Sequence, residues 1–125
     1  MENALDKQIS GNHYKQYKME PIELIVACKW DFIQGNIAKY LLRAKYKNGM
    51  EDVEKANHYC ELGTDLTYQK GNSAFIDNKA ILTHFIKINE LPDEWNYIFT
   101  FINSKEYEYL KSYISKEQFI KKYFL

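Results

Sequence analysis

Residues 35–55 constrain the fold more than any other stretch, because they predict two helices separated by a helix stop. The first helix is expected over about 31–47 and ends at Asn48-Gly49, where the glycine supplies a left-handed residue. The second is expected over about 50–69 and opens on two acidic residues. Helices joined by so short a connection pack antiparallel. The sequence therefore predicts a helical hairpin.

Composition excludes several classes of partner. Seventeen basic and seventeen acidic residues cancel in this chain of 125 residues, and without a net positive field we expect no nucleic-acid partner. No apolar run reaches membrane-spanning length, so we expect no membrane partner. The length favours a single domain, 1–125. The two cysteines, Cys28 and Cys60, lie in apolar helical patterns and are interpreted as reduced core thiols of a cytoplasmic protein.

The spacing of apolar residues predicts an all-α fold, a compact bundle of about five to seven helices with an extended N-terminal arm. Residues 1–69 would hold the arm and the hairpin. Residues 70–125 would form an aromatic-rich helical half, in which Ile76 is an apolar position of a helix. The helix starts expected from capping residues are Pro21, Asp31, Ser73, Asp93, Ser104 and Ser115.

One face of the first hairpin helix is polar and cationic. At 100° per residue, Asn36, Lys39, Tyr40, Arg43 and Lys47 fall within one arc about 100° wide. A stripe of cations with an amide and a phenol can hold an anion, and phosphate is the first ligand class to consider. The alternative is a solvated helix face with no ligand.

The N-terminal loop adds a second candidate element. His13 and Tyr14 follow a Gly-Asn turn and precede a lysine, so this loop could close over a nucleotide. The alternative is that Tyr14 only packs the arm onto the helices. The chain has no phosphate-binding loop of the G-x-x-x-x-G-K-[ST] type. Any nucleotide kinase activity would therefore use a site built from helix faces and this loop.

The acidic residues of the second hairpin helix also leave alternatives open. Asp52 points toward the apolar side, where a carboxylate needs a partner, and Arg43 or Lys39 could supply it. Such a pair would either tie the two helices together or orient a cation toward a ligand. The face that carries Glu54, His58 and Glu61 could hold a divalent metal. We interpret it instead as a solvated face or one paired with a basic helix, and predict no metal site.

Four motifs within about residues 11–66 carry a family resemblance. They are His13-Tyr14-Lys15, Pro21-Ile22-Glu23, Phe32-x-x-Gly35-Asn36-x-x-Lys39-Tyr40-x-x-Arg43, and Lys47-x-Gly49-x-Glu51-Asp52-x-x-Lys55-Ala56-x-x-Tyr59. Together they resemble the SaV-like family of small bacteriophage proteins, catalogued as a domain of unknown function.

The resemblance implies a role in phage–host conflict, in the cytoplasm of an infected bacterium. Some members of the family are described as kinases acting on deoxynucleoside monophosphates, and members from lactococcal phages as triggers of a host abortive-infection protein. The resemblance assigns no catalytic residue. The polar positions that recur in the family are, in this chain, His13, Tyr14, Asn36, Lys39, Arg43, Glu51 and Asp52.

Two functions are therefore expected. The chain would engage or trigger a host defence protein, and it would bind a phosphorylated nucleotide. The alternative for the second function is a deoxynucleoside monophosphate kinase, which would need Mg²⁺ to bridge phosphates, or a non-catalytic sponge for a nucleotide immune signal. The aromatic C-terminal helices are expected to form a homodimer or to contact the host protein.

Overall fold

A computed structural model describes residues 17–44, 49–68 and 76–116, and within these ranges it contains six helices and no strand. The all-α prediction is confirmed, and the number of helices fits the expected range. The arm up to residue 16 and the helix expected after Ser115 lie outside the described residues. The helices are α1 (Pro21–Ala27), α2 (Phe32–Ala44), α3 (Met50–Tyr68), α4 (Lys79–Ile88), α5 (Trp95–Asn103) and α6 (Tyr107–Ile114).

Helices α2 and α3 form the predicted hairpin and the most extensive helix–helix contact of the fold. Gly49 has a φ of 51°, in the left-handed region, and its N–H donates to the carbonyl of Ala44 at 2.9 Å. This is the helix stop expected from the sequence. Beyond it, α3 runs back along α2, which places residues of both helices on one face.

Asp31 caps α2, as predicted. Its Oδ1 accepts the N–H of Gln34 at 2.9 Å, and Gln34 Oε1 accepts the N–H of Asp31 at 3.0 Å. This reciprocal pair satisfies backbone donors that the first turn would leave unbonded. The Gln34 amide also donates to the carbonyl of Ile102 at 2.9 Å. One side chain therefore starts α2 and joins it to α5.

Three helices end on a left-handed residue that is not glycine. Lys29, Glu90 and Lys105 have φ of 56°, 54° and 58° after α1, α4 and α5. In each case the next N–H reaches back five residues to a carbonyl, the Schellman arrangement. The bonds are Trp30 to Ile25 at 3.1 Å, Leu91 to Ile86 at 2.9 Å and Glu106 to Phe101 at 2.9 Å.

One expected helix start is wrong, and one residue expected inside a helix lies before it. Ile76 precedes α4, which begins only at Lys79, and the Ile76 carbonyl accepts the Asn103 amide at 2.8 Å. Ser104 ends α5 and does not start α6. Its hydroxyl donates to the carbonyl of Thr100 at 2.6 Å, and the same carbonyl accepts the backbone N–H of Ser104 at 2.9 Å. Helix α6 begins at Tyr107. Ser73 lies outside the described residues.

The core is aromatic where the two halves of the chain meet. The ring of Phe99 lies 6.1 Å from Trp30, 5.4 Å from Trp95 and 5.6 Å from Phe85, measured between centroids. All four residues are buried. Such ring pairs stabilise a core beyond the area that they bury. Helix α6 closes the bundle by packing along α3.

The cysteines are buried and free, as predicted. Burial raises the pKa of the Cys28 thiol to about 11 and that of the Cys60 thiol to about 12. Both thiols therefore stay protonated and unreactive near neutral pH. Among the described helices, none has the length and apolar character needed to cross a bilayer.

Candidate functional site

The polar stripe of α2 lies on the outer side of the hairpin. Asn36, Lys39, Tyr40 and Arg43 are all partly exposed. Phe32, one turn before Asn36, leaves 73% of its surface exposed. His13, Tyr14 and Lys47, which the sequence also predicts as binding residues, lie outside the described residues.

Tyr40 is the centre of an aromatic cluster that spans the hairpin. Its ring stacks on Tyr59 of α3, with centroids 5.9 Å apart and planes 18° from parallel. Phe32 meets the same Tyr59 ring edge to face at 6.0 Å. We call Phe32, Lys39, Tyr40, Lys55 and Tyr59 the Tyr40 patch. It is an aromatic surface with one ring largely open to solvent.

Three cations surround the Tyr40 ring. Lys39 Nζ lies 4.5 Å from the ring centroid, Arg43 Cζ 5.3 Å and Lys55 Nζ 5.4 Å. Each distance is within the range over which a cation is attracted to a π face. Three cationic side chains therefore lie beside one aromatic ring.

Two of these cations have acidic partners. Arg43 Nε contacts Asp52 Oδ2 at 3.2 Å, and Lys55 Nζ lies 3.5 Å from Glu51 Oε1. Within the described ranges, Lys39 has no carboxylate partner. The charge of Lys39 is therefore the one most available to an anionic ligand.

The Arg43–Asp52 pair ties α2 to α3. The Asp52 side chain is fully buried, and Arg43 keeps 16% of its side chain exposed. In the described part of the chain, Asp52 Oδ1 is also buried and accepts no hydrogen bond. The sequence left Arg43 and Lys39 as possible partners of Asp52. In the structure the partner is Arg43, and this pair joins the two helices of the hairpin.

The remaining predicted polar residues are exposed or partly exposed. Asn36 donates one amide N–H to the carbonyl of Phe32 at 2.7 Å, within its own helix. Its carbonyl oxygen has no partner among the described residues, so it could meet a ligand. Glu51 leaves 64% of its side chain exposed beside Lys55.

Phe32, Lys55 and Tyr59 are the residues of the patch that the sequence did not predict as site residues. Lys55 and Tyr59 lie four residues apart on α3, so they share one face of that helix. That spacing could have identified them as a pair. Only the register of the hairpin places them against Tyr40.

The acidic face of α3 pairs with a basic residue of α6. Lys111 Nζ contacts Glu61 Oε1 at 2.7 Å, and His58 Nδ1 lies 3.9 Å from Glu61 Oε2. The hydrogen bond from Lys111 lowers the pKa of Glu61, and the same bond raises the pKa of Lys111. Within the described residues, no group of three or more His, Cys, Asp or Glu could hold a metal ion. The contact between Lys111 and Glu61 therefore favours the interpretation of this face as one that pairs with a basic residue of a neighbouring helix.

Comparison with known proteins gives a family match over part of the chain and no activity. Residues 9–61 match a protein family described as a protein of unknown function, DUF3310. The match includes α1, α2 and most of α3, and therefore the whole Tyr40 patch. No curated protein and no solved structure matches the chain. Membership in the SaV-like family, and any role in phage infection, stays a prediction.

Proposed function

We propose that the chain binds a phosphorylated nucleotide on the Tyr40 patch. The observation that carries this proposal is the arrangement of three cations around an aromatic ring that stacks on a second ring. A nucleotide presents a flat π face and a negatively charged phosphate. Stacking on an aromatic side chain contributes about 1–3 kcal/mol per base, and ammonium groups hold phosphate oxygens.

The spacing along α2 suits such a ligand. Phe32 and Lys39 are seven residues apart, so they lie on the same helix face about 10 Å apart along the axis. The exposed Phe32 ring and the edge of Tyr59 would receive the base. Lys39 and Lys55 would hold the phosphate. The side-chain carbonyl of Asn36, which has no partner among the described residues, lies between Phe32 and Lys39 along the helix.

Binding without turnover would make the protein a sponge for a nucleotide immune signal in phage–host conflict. The alternative for the same site is a deoxynucleoside monophosphate kinase. That reaction needs Mg²⁺ to bridge phosphates and a base for the acceptor hydroxyl. Glu51 is an exposed acid beside Lys55, with its Oε1 3.5 Å from Lys55 Nζ, and could serve as this base.

Single substitutions in the patch should change nucleotide affinity in both directions. Lys39→Ala should weaken binding about tenfold, because a charge-assisted contact is lost. Phe32→Ala should weaken it at least fivefold through lost stacking. Glu51→Gln should strengthen binding, because Lys55 no longer shares its charge with a carboxylate. Isothermal titration calorimetry against nucleoside mono-, di- and triphosphates and cyclic nucleotides, with and without Mg²⁺, measures each effect.

The chain offers a matched control for the lysine. Lys116 Nζ lies 5.7 Å from the ring of Tyr113, a comparable lysine–tyrosine contact on another part of the surface. Lys116→Ala should leave nucleotide affinity unchanged. Equal losses of nucleotide affinity with Lys39→Ala and Lys116→Ala would mean that general positive charge attracts the nucleotide and that the Tyr40 patch is not its binding site. No binding of any nucleotide up to millimolar concentration would rule out the site.

A second candidate function is contact with a protein through α5 and α6. Tyr97, Phe101, Tyr109 and Tyr113 form a second aromatic surface, which we call the α5–α6 face. Phe101 lies 6.3 Å from Tyr109 and 6.1 Å from Tyr113, and Tyr97 lies 6.1 Å from Tyr113. Tyr97 is 61% exposed and Tyr109 68%. Because exposed aromatic groups favour protein interfaces, we propose that this face contacts a second copy of the chain or a host defence protein.

Replacing Tyr97 and Tyr109 with serine should weaken protein association at least tenfold, because tyrosines that become buried on association contribute strongly to the affinity of an interface. The folded state should lose little stability, since both rings are mostly exposed. Sedimentation velocity over a range of concentrations tests the homodimer. If the wild-type chain stays monomeric, the homodimer is wrong, and direct binding to a purified host abortive-infection protein tests the other partner.

A further inference from the structure

A cavity of about 290 Å³ opens between α4 and α5, on the part of the chain that the family match does not cover. Its lining comes from residues 77–104 only, so it is separate from the Tyr40 patch. The two helices run antiparallel and form its two walls, and Leu82 contributes an apolar surface between them. The volume is at the lower end of the range for small-molecule sites.

The wall from α5 is a row of polar side chains on an otherwise apolar helix. Asn96, Thr100 and Ser104 follow one another at four-residue spacing, so they lie on one face about 6 Å apart along the axis. The opposite face of α5 is buried in the core. This row supplies polar groups on one side of a cavity whose lining is otherwise mostly apolar.

Each of these three side chains donates a hydrogen bond to a backbone carbonyl three or four residues earlier in the chain. Asn96 Nδ2 donates to the carbonyl of Asp93 at 3.0 Å. Thr100 Oγ1 donates to the carbonyl of Asn96 at 2.6 Å, and Ser104 Oγ donates to the carbonyl of Thr100 at 2.6 Å. The hydroxyl hydrogens are therefore occupied, and the oxygens keep their lone pairs. This wall mainly offers acceptors, so it suits a ligand rich in donors.

The wall from α4 carries balanced charge. Asp77 and Lys79 both line the cavity, and Asp77 Oδ1 accepts the backbone N–H of Lys79 at 3.0 Å. Thr83 continues this wall one turn further along. A carboxylate and an ammonium two residues apart favour neither a cation nor an anion overall. A neutral ligand fits these charges best.

We infer that this cavity binds a neutral polyhydroxylated ligand of monosaccharide size. Its hydroxyl groups would donate to the oxygens of Asn96, Thr100 and Ser104. Lys79 would donate to a ligand oxygen, and the C–H face of the sugar would cover Leu82. The same chemistry is offered by a free sugar and by the ribose of an unphosphorylated nucleoside, and the experiment separates these two sources.

Titration of the ¹⁵N-labelled full chain with ribose, glucose and adenosine tests this site. We expect saturable amide shifts confined to residues 77–83 and 96–104, with a dissociation constant on the order of 1 mM for a free sugar. Comparable affinity for all three ligands identifies a general sugar site. Adenosine binding at least tenfold tighter than ribose identifies the ribose of a nucleoside. No saturable shifts with any ligand, or shifts elsewhere only, would overturn the inference.

The chain supplies a matched pair of threonines for this test. Thr100→Val keeps the shape and removes the acceptor, and should weaken binding at least fivefold. Thr64 Oγ1 makes the same bond to a carbonyl four residues back, to Cys60 at 3.0 Å, but in α3. Thr64→Val should leave sugar affinity unchanged.

If the Thr100→Val protein does not fold, Ser104→Ala is tested in its place. Lys39→Ala should not change sugar binding, so failure of this site is distinguishable from failure of the nucleotide site.

Discussion

Replacing Arg43 with alanine is expected to lower the free energy of unfolding by about 3 kcal/mol, because it leaves the buried Asp52 carboxylate without its cation. Breaking a buried pair by removing one partner typically costs about 3–5 kcal/mol. Arg43 keeps 16% of its side chain exposed, which places the expected loss near the lower end of that range. Asp52 Oδ1 has no hydrogen-bond partner in the described part of the chain to compensate for the loss.

Urea denaturation followed by circular dichroism measures this loss. Lys39→Ala on the same helix is the control and should cost less than about 1 kcal/mol, since Lys39 has no carboxylate partner among the described residues. Arg43→Met combined with Asp52→Leu should recover most of the stability, because no buried charge remains. A loss below about 1 kcal/mol for Arg43→Ala would contradict a structural role for the pair.

This expectation also decides which variants can test ligand binding. An Arg43→Ala protein that fails to bind a nucleotide would leave two explanations, a lost contact or a loosened hairpin. Lys39 and Phe32 avoid this ambiguity because neither supports a buried charge.

Replacing Gly63 with alanine is expected to lower the free energy of unfolding by about 2 kcal/mol, through overpacking between α3 and α6. A Cβ at Gly63 would lie 2.7 Å from Cδ2 and Cε2 of Tyr107 and 3.0 Å from its Cγ. Tyr107 is only 4% exposed, so its ring has little room to move. Burial also raises the pKa of the Tyr107 hydroxyl. The better helix propensity of alanine offsets up to about 1 kcal/mol of the clash.

A second glycine inside a helix provides the control. A Cβ at Gly35 would lie 3.1 Å from Cγ2 of Ile25, a methyl group of a partly exposed side chain, so the neighbour needs to shift by only a few tenths of an ångström. Gly35→Ala should therefore change stability by less than about 1 kcal/mol. Adding Tyr107→Leu to Gly63→Ala should cost less than the sum of the two single changes, because the clash is already relieved. Additive losses would show that the ring is not what the new methyl group meets.

Much of the fold was predictable because its signals are local. Asp31 and Gly49 act within one turn of the residues that they cap, so their types and positions were sufficient. At Lys29 and Lys105 the helices end on left-handed residues that are not glycine, which their residue types do not indicate. Ser104 is a capping residue type and so predicts a helix start, but its hydroxyl bonds back to Thr100 and α6 begins only at Tyr107.

The candidate site was predictable only in part. Asn36, Lys39, Tyr40 and Arg43 share a face because of the helical period, which the sequence contains. The position of Tyr59 against Tyr40 depends on how far α3 slides along α2, which no local pattern specifies.

The sequence by itself therefore determined the helices, the hairpin stop and the cationic stripe, because each depends on residues within a few turns of one another. Only the tertiary structure decided that Arg43 pairs with a buried Asp52, that the ring of Tyr107 packs against Gly63, and that an open cavity lies between α4 and α5. Each of these contacts depends on the relative position of two packed helices. That position is set by the fit of all their side chains at once.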